Sequence, residues 1–379
     1  MALAGAQNVL TSQATWFHEK GYDVTIAYFY DKQELEAIWR SKYPFKIINL
    51  HAWNARKSGP YNFITLCVGM VKLFNLMRAN KYDLIETFTS HSNILGLPVA
   101  WLTGIPVRIG SHHGKIEDSA SWLLRLHGKI INSGIAICLI AVSNQVKEYA
   151  VSHERVKEKK VKVILNGIEL PNKATSEKSR RMDILNELGL NTDNKLILSV
   201  GRLTRQKGQS YLVDAIPYVV EKFPSATFVF AGDGYLLSEL EKKSKKLKIE
   251  SNLHFIGLRT DIADLLIAAD IFVLPSLSEG LPISLLEAMS VGLPVVATQV
   301  GGIEDVIENE IGGLVIPPKN FPSLATAIIR LLENPDEAEK MGRIGREQVY
   351  SRYTVGQMCQ SYEDLFLHFL SETIPPDEI

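Results

Sequence analysis

At 379 residues and 46% apolar content, the chain is long enough to bury two cores. Forty-one Lys and Arg against 42 Asp and Glu leave a formal net charge of −1; no overall field recruits nucleic acid, so any anion site must be local. The three cysteines, Cys67, Cys138 and Cys359, lie far apart in apolar or helical contexts, which fits reduced thiols in the cytoplasm rather than a disulfide framework or a zinc site.

In chain order, the opening MALAGAQNVL carries neither the basic n-region nor the long apolar core of a signal peptide, so export is not expected. The helical stretch AQNVLTSQATWFHEKGY follows at once. A doubly wound domain ordinarily opens on an apolar strand that runs into a glycine turn, yet Met1 stands only four residues before Gly5. The first strand of the N-terminal domain is therefore expected to be missing, and the start to be incomplete or misassigned. Such a strand normally lies inside the sheet, and its absence leaves neighbouring ladder groups unpaired or exposed as an edge.

Short β-branched or apolar runs then alternate with longer amphipathic stretches, the pattern of parallel sheets covered by helices, so the class is α/β. The first half offers strands at YDVTIAYF from Tyr22, FKIINL from Phe45, YDLIETF from Tyr82, PVRIGS from Pro106, AICLIAVS from Ala136 and VKVILNG from Val161. Between them NFITLCVGMVKLFNLM is interrupted by Lys72 and falls short of the roughly 18 to 20 apolar residues that span a bilayer. It reads as a helix, either buried or presenting an apolar face with basic ends to a membrane surface.

Over NGIELPNKATSEKSRRMD, Asn166 to Asp183, the composition turns polar and charged, and a turn-forming Asn-Gly precedes the helix-breaking Pro171. The interdomain linker is placed there, with an N-terminal domain over 1–170 and a second over 171–350. The second half restarts the alternation with strands KLILSVG, TFVFAG, LHFIG, IFVLPS, PVVAT and a short GGLVIP. The closing segment, 351–379, holds the helix VGQMCQSYEDLFLHFL, whose apolar spacing suits packing back on the first domain.

Three stretches carry the chemistry. In SVGRLTRQKG, Gly201 ends a strand, Arg202 follows it, and Lys207 and Gly208 open the next helix. Beyond the carboxyl end of a strand, a helix N-terminus offers free N–H donors to a phosphate, and Arg with Lys suits a diphosphate; solvated charges in a loop are the alternative. AGDG, with Gly232 and Gly234, repeats the turn and by itself is an ordinary strand-to-helix connection with Asp233 as a cap. In SEGLPISLLEAMSVGLPVVAT, Glu279 lies before a helix that Pro282 opens and Glu287 lies inside it. Ionised carboxylates accept hydrogen bonds only, which suits the vicinal hydroxyls of a sugar, while the amides from Gly280 to Ile283 suit an anion. Separately, Glu279 could serve the helix dipole and Glu287 the surface.

Glu279 followed after seven residues by Glu287, preceded by GRLTRQKG and AGDG and followed by GLPVVATQVGGIEDVI, resembles the retaining glycosyltransferases of glycosyltransferase family 4. The likeness extends through GAQNVLTSQATWFHEKGYDVTI, IAVSNQVKEY and VILNGIE, nearly the whole chain. It implies the GT-B fold: two Rossmann-like, doubly wound parallel-sheet domains facing a cleft. It further implies transfer of a sugar from a nucleoside diphosphate sugar, a co-substrate rather than a cofactor, to a hydroxyl of a glycan or lipid-linked acceptor. Arg202 and Lys207 match the pair that grips the diphosphate, Glu287 the acid on the ribose, Glu279 the acid on the transferred sugar, and Gly280 and Leu281 the backbone near sugar and phosphate. Gly5 matches the glycine loop of the first domain. In GIPVRIGSHHGK, His113 falls where the family keeps a histidine, with His112 as competitor and His91 in FTSHSN as an acceptor-side candidate. The implied catalytic set is His113, Glu279, Arg202 and Lys207.

No Asp-x-Asp motif of metal-dependent glycosyltransferases is present, so no metal is expected. No nucleic acid partner is expected either, and the location is cytoplasmic with peripheral membrane contact open. Ala4-Gly5 stands where the family has a glycine pair, which puts the first half of the donor site in question. Two other readings compete: a noncatalytic nucleotide-sugar binder with an incomplete first domain, and a GT-B-fold sugar-nucleotide epimerase.

Overall fold

The computed structural model describes residues 5–31, 35–54, 57, 59–114, 120–171 and 177–373. The chain forms two compact units, Met1–Gly167 with Val355–Ile379, and Ile168–Thr354. Each of the twelve sequence runs coincides with a strand of three to six residues; most are trimmed where the backbone turns into a loop, while the strand at PVRIGS runs on to His112 and that at TFVFAG begins at Ala226.

The first unit runs α1 (Gly5–Glu19), β1 (Thr25–Tyr28), α2 (Glu36–Lys42), β2 (Lys46–Asn49), α3 (Pro60–Asn80), β3 (Leu84–Thr87), α4 (Ser90–Leu102), β4 (Val107–His112), α5 (Ser121–Asn132), β5 (Cys138–Ala141), α6 (Asn144–Ser152) and β6 (Val161–Val163). All pairings are parallel, but the sheet is in two pieces. β1 pairs with β2, Thr25 opposite Lys46, and β3, β4, β5 and β6 pair in that order. Among the described residues no strand precedes α1, and β1 and β3 form no ladder with each other. Two cores result, one around Ile26, Trp39, Phe45 and Ile47, another around Leu50, Leu73, Met77 and Ala100.

In the second unit come α7 (Glu177–Glu187), β7 (Lys195–Val200), α8 (Gln209–Lys222), β8 (Ala226–Ala231), α9 (Leu237–Leu247), β9 (Leu253–Phe255), α10 (Ile262–Ala268), β10 (Ile271–Leu274), α11 (Ile283–Ser290), β11 (Val295–Thr298), α12 (Ile303–Val306), β12 (Leu314–Ile316), α13 (Phe321–Glu333) and α14 (Pro335–Arg352). Its six parallel strands lie in the order β12-β11-β10-β7-β8-β9. The chain starts at β7, winds outward through β8 and β9, then returns to the other side at β10. The strand order therefore reverses between β7 and β10, the place where open parallel sheets bind ligands.

The last helix, α15 (Val355–Thr373), belongs to the first unit. Its inward face buries Cys359, Tyr362 and Phe366; Phe366 stacks on Phe17 of α1 with ring centroids 5.4 Å apart, and Glu363 pairs with Lys20.

The polar stretch assigned to the linker is shorter than its composition suggests. Residues 172–176 lie outside the described set, and α7 begins at Glu177. Charges dominate α7, but Ile184 and Leu185 are buried, and the hydrophobic effect on these two fixes the helix.

Candidate active site

The second unit assembles most of the candidate residues at the carboxyl ends of β7 and β10. After β7, residues Arg205–Lys207 form one 3-10 turn, and Gly208 follows with φ +65° as the cap of α8. A Cβ on Gly208 would lie 2.0 Å from the Pro275 carbonyl oxygen, so only glycine brings this turn against the end of β10. That approach lets Lys207 Nζ donate to Glu279 Oε1 at 2.7 Å. Ser276 Oγ donates to the same oxygen at 2.5 Å, and Thr298 Oγ1 holds the Ser276 carbonyl. Gln206 adds a bond on each side of the loop, from Nε2 to Ser278 O at 2.9 Å and from Leu277 N to its own carbonyl at 2.7 Å.

Glu279 is buried and the Lys207 side chain nearly so. Oε2 of Glu279 makes no hydrogen bond among the described residues, so one carboxylate oxygen is committed to the protein and one is not. The stem of Lys207 runs 3.5 Å from where a Gly201 Cβ would stand, beside Arg202. Arg202 is exposed, and its guanidinium makes no hydrogen bond or ion pair among the described residues. Gly280 and Leu281 are buried in the loop, with Gly280 O accepting from Gly302 N at 2.6 Å.

Pro282 is the N-cap of α11 rather than its first residue, because its ψ of 118° is extended. The helix starts at Ile283, whose amide and that of Ser284 have no helical acceptor. Glu287 is partly buried on α11 and forms no ion pair or side-chain hydrogen bond among the described residues; burial pushes its carboxyl pKa upward. The AGDG turn serves packing: Asp233 Oδ1 accepts from Gly234 N at 2.7 Å, and Gly234 fits under the Leu203 carbonyl.

The remaining candidates belong to the first unit. Gly5 is the first residue of α1. β4 ends at His112, and the two adjacent histidines meet different fates. His112 is 1% exposed and its Nε2 lies 2.9 Å from Glu154 Oε1. His113 stacks on Phe88, with centroids 5.4 Å apart and planes 18° from parallel. Both of its ring nitrogens are shielded from solvent and have no hydrogen-bond partner among the described residues. Burial, with a smaller contribution from the neighbouring His112, pushes its pKa down to about 3, so the ring is neutral at ordinary pH. His91, the second residue of α4, is exposed.

Sequence reasoning passes over Ser276, Gln206 and Thr298, and over a set of partly or fully buried polar groups in the first unit. Glu86 on β3 accepts from Gln13 Nε2 at 2.7 Å and from Ser111 Oγ. Its carboxyl is pushed up to about 7 by burial, against the opposing effect of those two hydrogen bonds. His127 Nδ1 lies 2.8 Å from Glu154 Oε2. Among the described residues, His112, His127 and Glu154 form the one trio whose ligand atoms lie within 4.8 Å of one another, within reach of a shared metal ion. The facing atoms are already engaged with each other at hydrogen-bond length.

Residues 3–171 match the model of Glycosyltransferase Family 4, and residues 181–348 that of Glycosyl transferases group 1. An Escherichia coli UDP-Gal:alpha-D-GlcNAc-diphosphoundecaprenol alpha-1,3-galactosyltransferase is 30% identical over 306 residues, 79% of this chain and 78% of that protein. A putative teichuronic acid biosynthesis glycosyltransferase, TuaC, of Bacillus subtilis is 33% identical over 233 residues, 57% of this chain and 56% of that one. Among solved structures, Anabaena Alr3699/HepE in complex with UDP-glucose superposes with a TM-score of 0.84 at 22% identity, covering 97% of both chains. The sucrose-phosphate synthase of Thermosynechococcus elongatus gives 0.82 at 22%, covering 97% of this chain and 94% of that one.

Proposed function

The chain belongs to glycosyltransferase family 4 and has its GT-B fold, and from that premise we propose that it moves a sugar from a nucleoside diphosphate sugar to an acceptor hydroxyl with retention at the anomeric carbon. The observation that carries this reading is the Lys207–Glu279 pair at the reversal point between β7 and β10, with Arg202 in the loop after β7 and Glu287 on α11, neither of which pairs its charged group among the described residues. Two cations after β7 and two carboxylates at the start of and within α11 suit a ligand that is anionic at one end and rich in hydroxyls at both flanks.

In this reading Arg202 and Lys207 hold the diphosphate together with the first amides of α11. Glu287 accepts from the ribose hydroxyls, which would give its buried carboxylate the donors it lacks. Glu279 turns Oε2 to a hydroxyl of the transferred sugar while Oε1 keeps Lys207 in place. The bond from the anomeric carbon to the diphosphate breaks as the bond to the acceptor oxygen forms on the same face, and the acceptor's proton passes to the leaving diphosphate. Arg202 and Lys207 meet the charge that develops there, so we propose that no metal is required. His113, neutral and shielded, donates to or orients the sugar.

For the acceptor we infer a glycan or lipid-linked hydroxyl. The E. coli relative's name includes a diphosphoundecaprenol, and α3 offers a surface suited to a bilayer. It has no Asp or Glu. Phe63, Ile64, Val68 and Val71 are exposed on it, Phe63 by 70%, with Lys72 and Arg78 further along the helix. Among the described residues no helix is long and apolar enough to cross a membrane, so this is peripheral contact, at the cytoplasmic face in our reading.

The test is a panel of nucleotide sugars offered to the purified chain, with binding measured by calorimetry and product configuration by NMR. Glu287→Ala should weaken donor binding by ~10- to 100-fold, on the scale of one lost hydrogen bond to a charged group, whereas Glu279→Ala should mainly lower the rate of transfer. Tight donor binding with no turnover by the wild-type chain would make it a binding protein instead, and an epimerised sugar formed without acceptor would make it an epimerase.

A further inference from the structure

Glu154, between α6 and β6, is completely buried, and among the described residues no Lys or Arg reaches it. Burial by itself would raise its carboxyl, but the hydrogen bonds from His112 and His127 prevail and hold it down at about 2. The protein thus keeps an ionised carboxylate in its interior, which is costly unless every lone pair has a donor.

The donors can be assigned from the ends of the network inward. Asn93 Nδ2 lies 3.2 Å from the Ser111 carbonyl, which only accepts, so this atom is the amide nitrogen and Oδ1 accepts from Thr87 Oγ1 at 2.5 Å. The same NH₂ group lies 2.9 Å from His127 Nε2, which must then accept. His127 therefore carries its proton on Nδ1 and donates to Glu154 Oε2. On the other side, Gly114 N–H points to His112 Nδ1 at 3.4 Å, leaving His112 Nε2–H to donate to Glu154 Oε1. One anion fixes two neutral imidazoles in opposite tautomers.

The local backbone is built to bring Glu154 there. A Cβ on Gly128 of α5 would lie 1.8 Å from the Glu154 carbonyl oxygen. Arg155 adopts φ +60°, a conformation that costs a non-glycine residue about 1 kcal/mol. Asn132 holds the turn by donating to Arg155 O at 2.8 Å and accepting from Lys157 N at 2.7 Å.

The far ends of the network grip the Ser111 carbonyl and the Gly114 amide, the backbone on both sides of His113. The ring of His113 makes no hydrogen bond of its own among the described residues, so its placement depends on the stack with Phe88 and on that backbone. We propose that Glu154 is a positioning residue for His113, acting through His112 on one side and through His127 and Asn93 on the other. The inference rests on the reading of His113 as a group that meets the transferred sugar.

Glu154→Gln keeps the shape but replaces one acceptor by an NH₂ group. One imidazole must then face a donor, or switch tautomer and place its new N–H against Gly114 N or Asn93 Nδ2. The expected result is a donor dissociation constant within about twofold of wild type, because the groups proposed to hold the diphosphate and ribose, Arg202, Lys207 and Glu287, sit in the other unit, with kcat lowered by ~10- to 100-fold, the scale of an ångström of misplacement. With ¹⁵N-histidine labelling, wild type should show one neutral imidazole protonated at Nε2 and one at Nδ1, and the variant should lose that pattern. His127→Gln, which removes one arm, serves if Glu154→Gln does not fold, with the same kcat effect expected. Unchanged kcat in a folded variant, beside an active wild type, would overturn the positioning role alone. Two doubly protonated imidazoles, or an equivalent of zinc retained by wild type and lost in Glu154→Gln, would overturn the assignment of the network. Absence of turnover by wild type on every donor overturns the transfer reading, and with it the role of His113.

Discussion

Replacing Glu86 by Gln should remove most of one specific pH dependence from the stability of the first unit. The Glu86 carboxyl is pushed from 4.5 up to about 7, so the folded chain takes up a proton that the unfolded chain does not bind at the same pH. The resulting stabilisation is complete below pH 4.5 and disappears as pH rises through 7. The shift corresponds to about 3 kcal/mol as a ceiling, and because the residue is only partly buried, roughly 1 to 3 kcal/mol is the expected range. That amounts to about 3 to 10 °C in the melting temperature of a unit this size. Calorimetric melting of wild type and Glu86→Gln at pH 5, 6, 7 and 8 and fixed ionic strength measures it. The two should nearly coincide at pH 5, where protonated Glu and Gln are alike, and the variant should be the more stable at pH 8. The difference between the proteins is the informative quantity, since His113, pushed down to about 3, adds the opposite trend to both. Cys138 and Cys359, both pushed up to about 12 by burial and then by Glu86, do not titrate in this window. Parallel pH profiles would show that the Glu86 carboxyl is not held in the protonated form by its surroundings.

Gly208→Ala should lower kcat/KM by ~100-fold, about 2.7 kcal/mol: the 2.0 Å approach of a Cβ to Pro275 O forces the Lys207 turn back by about 1 Å, and near-wild-type kinetics would contradict the close fit. If Arg202 and Lys207 meet the leaving charge as proposed, a chelator such as EDTA should leave the transfer rate unchanged; a rate restored only by added magnesium or manganese would refute this. Phe63→Glu combined with Val68→Glu should reduce sedimentation with vesicles containing phosphatidylglycerol at least tenfold, since each charge is unfavourable in an apolar interface. Donor affinity should not change, and equal sedimentation would remove α3 from the membrane contact.

What was legible in the sequence follows from where burial is local. TFVFAG reads as a strand because β8 is covered on both faces and all six of its residues are buried. The glycine spacing around Gly201 and Gly208 reads as a strand-to-helix turn for a similar reason, since the βα turn is a local structure. Pairing across the fold is not local: nothing near Lys207 specifies Glu279, 72 residues away, as its partner. Glu154 stands in SHERV, a polar stretch that resembles surface, and it is buried by partners 27 and 42 residues distant. Adjacent His112 and His113 are chemically identical in sequence, and only the packing of α5 and the Glu154 turn against one of them distinguishes the two. In α7 the charges of SRRMD outnumber the two buried side chains that anchor the helix, so the composition resembles a linker.

The break in the first unit's sheet has a consequence for how that unit opens. β1 and β2 are held by a single ladder of four residue pairs, over a small core on one face and, through Ile48, against the Leu50 and Leu73 core on the other, whereas β4 and β5 have hydrogen-bonded neighbours on both sides. Cooperative opening follows the seams where such connections are sparse. Amide hydrogens of β1 and β2 therefore exchange through a sub-global opening that leaves β4 and β5 closed, and deuterium uptake should resolve two protection levels within one compact unit. β3, with Glu86 on it, has one edge outside any ladder among the described residues, so loss of the Glu86 proton near pH 7 would loosen the first protection level before the second.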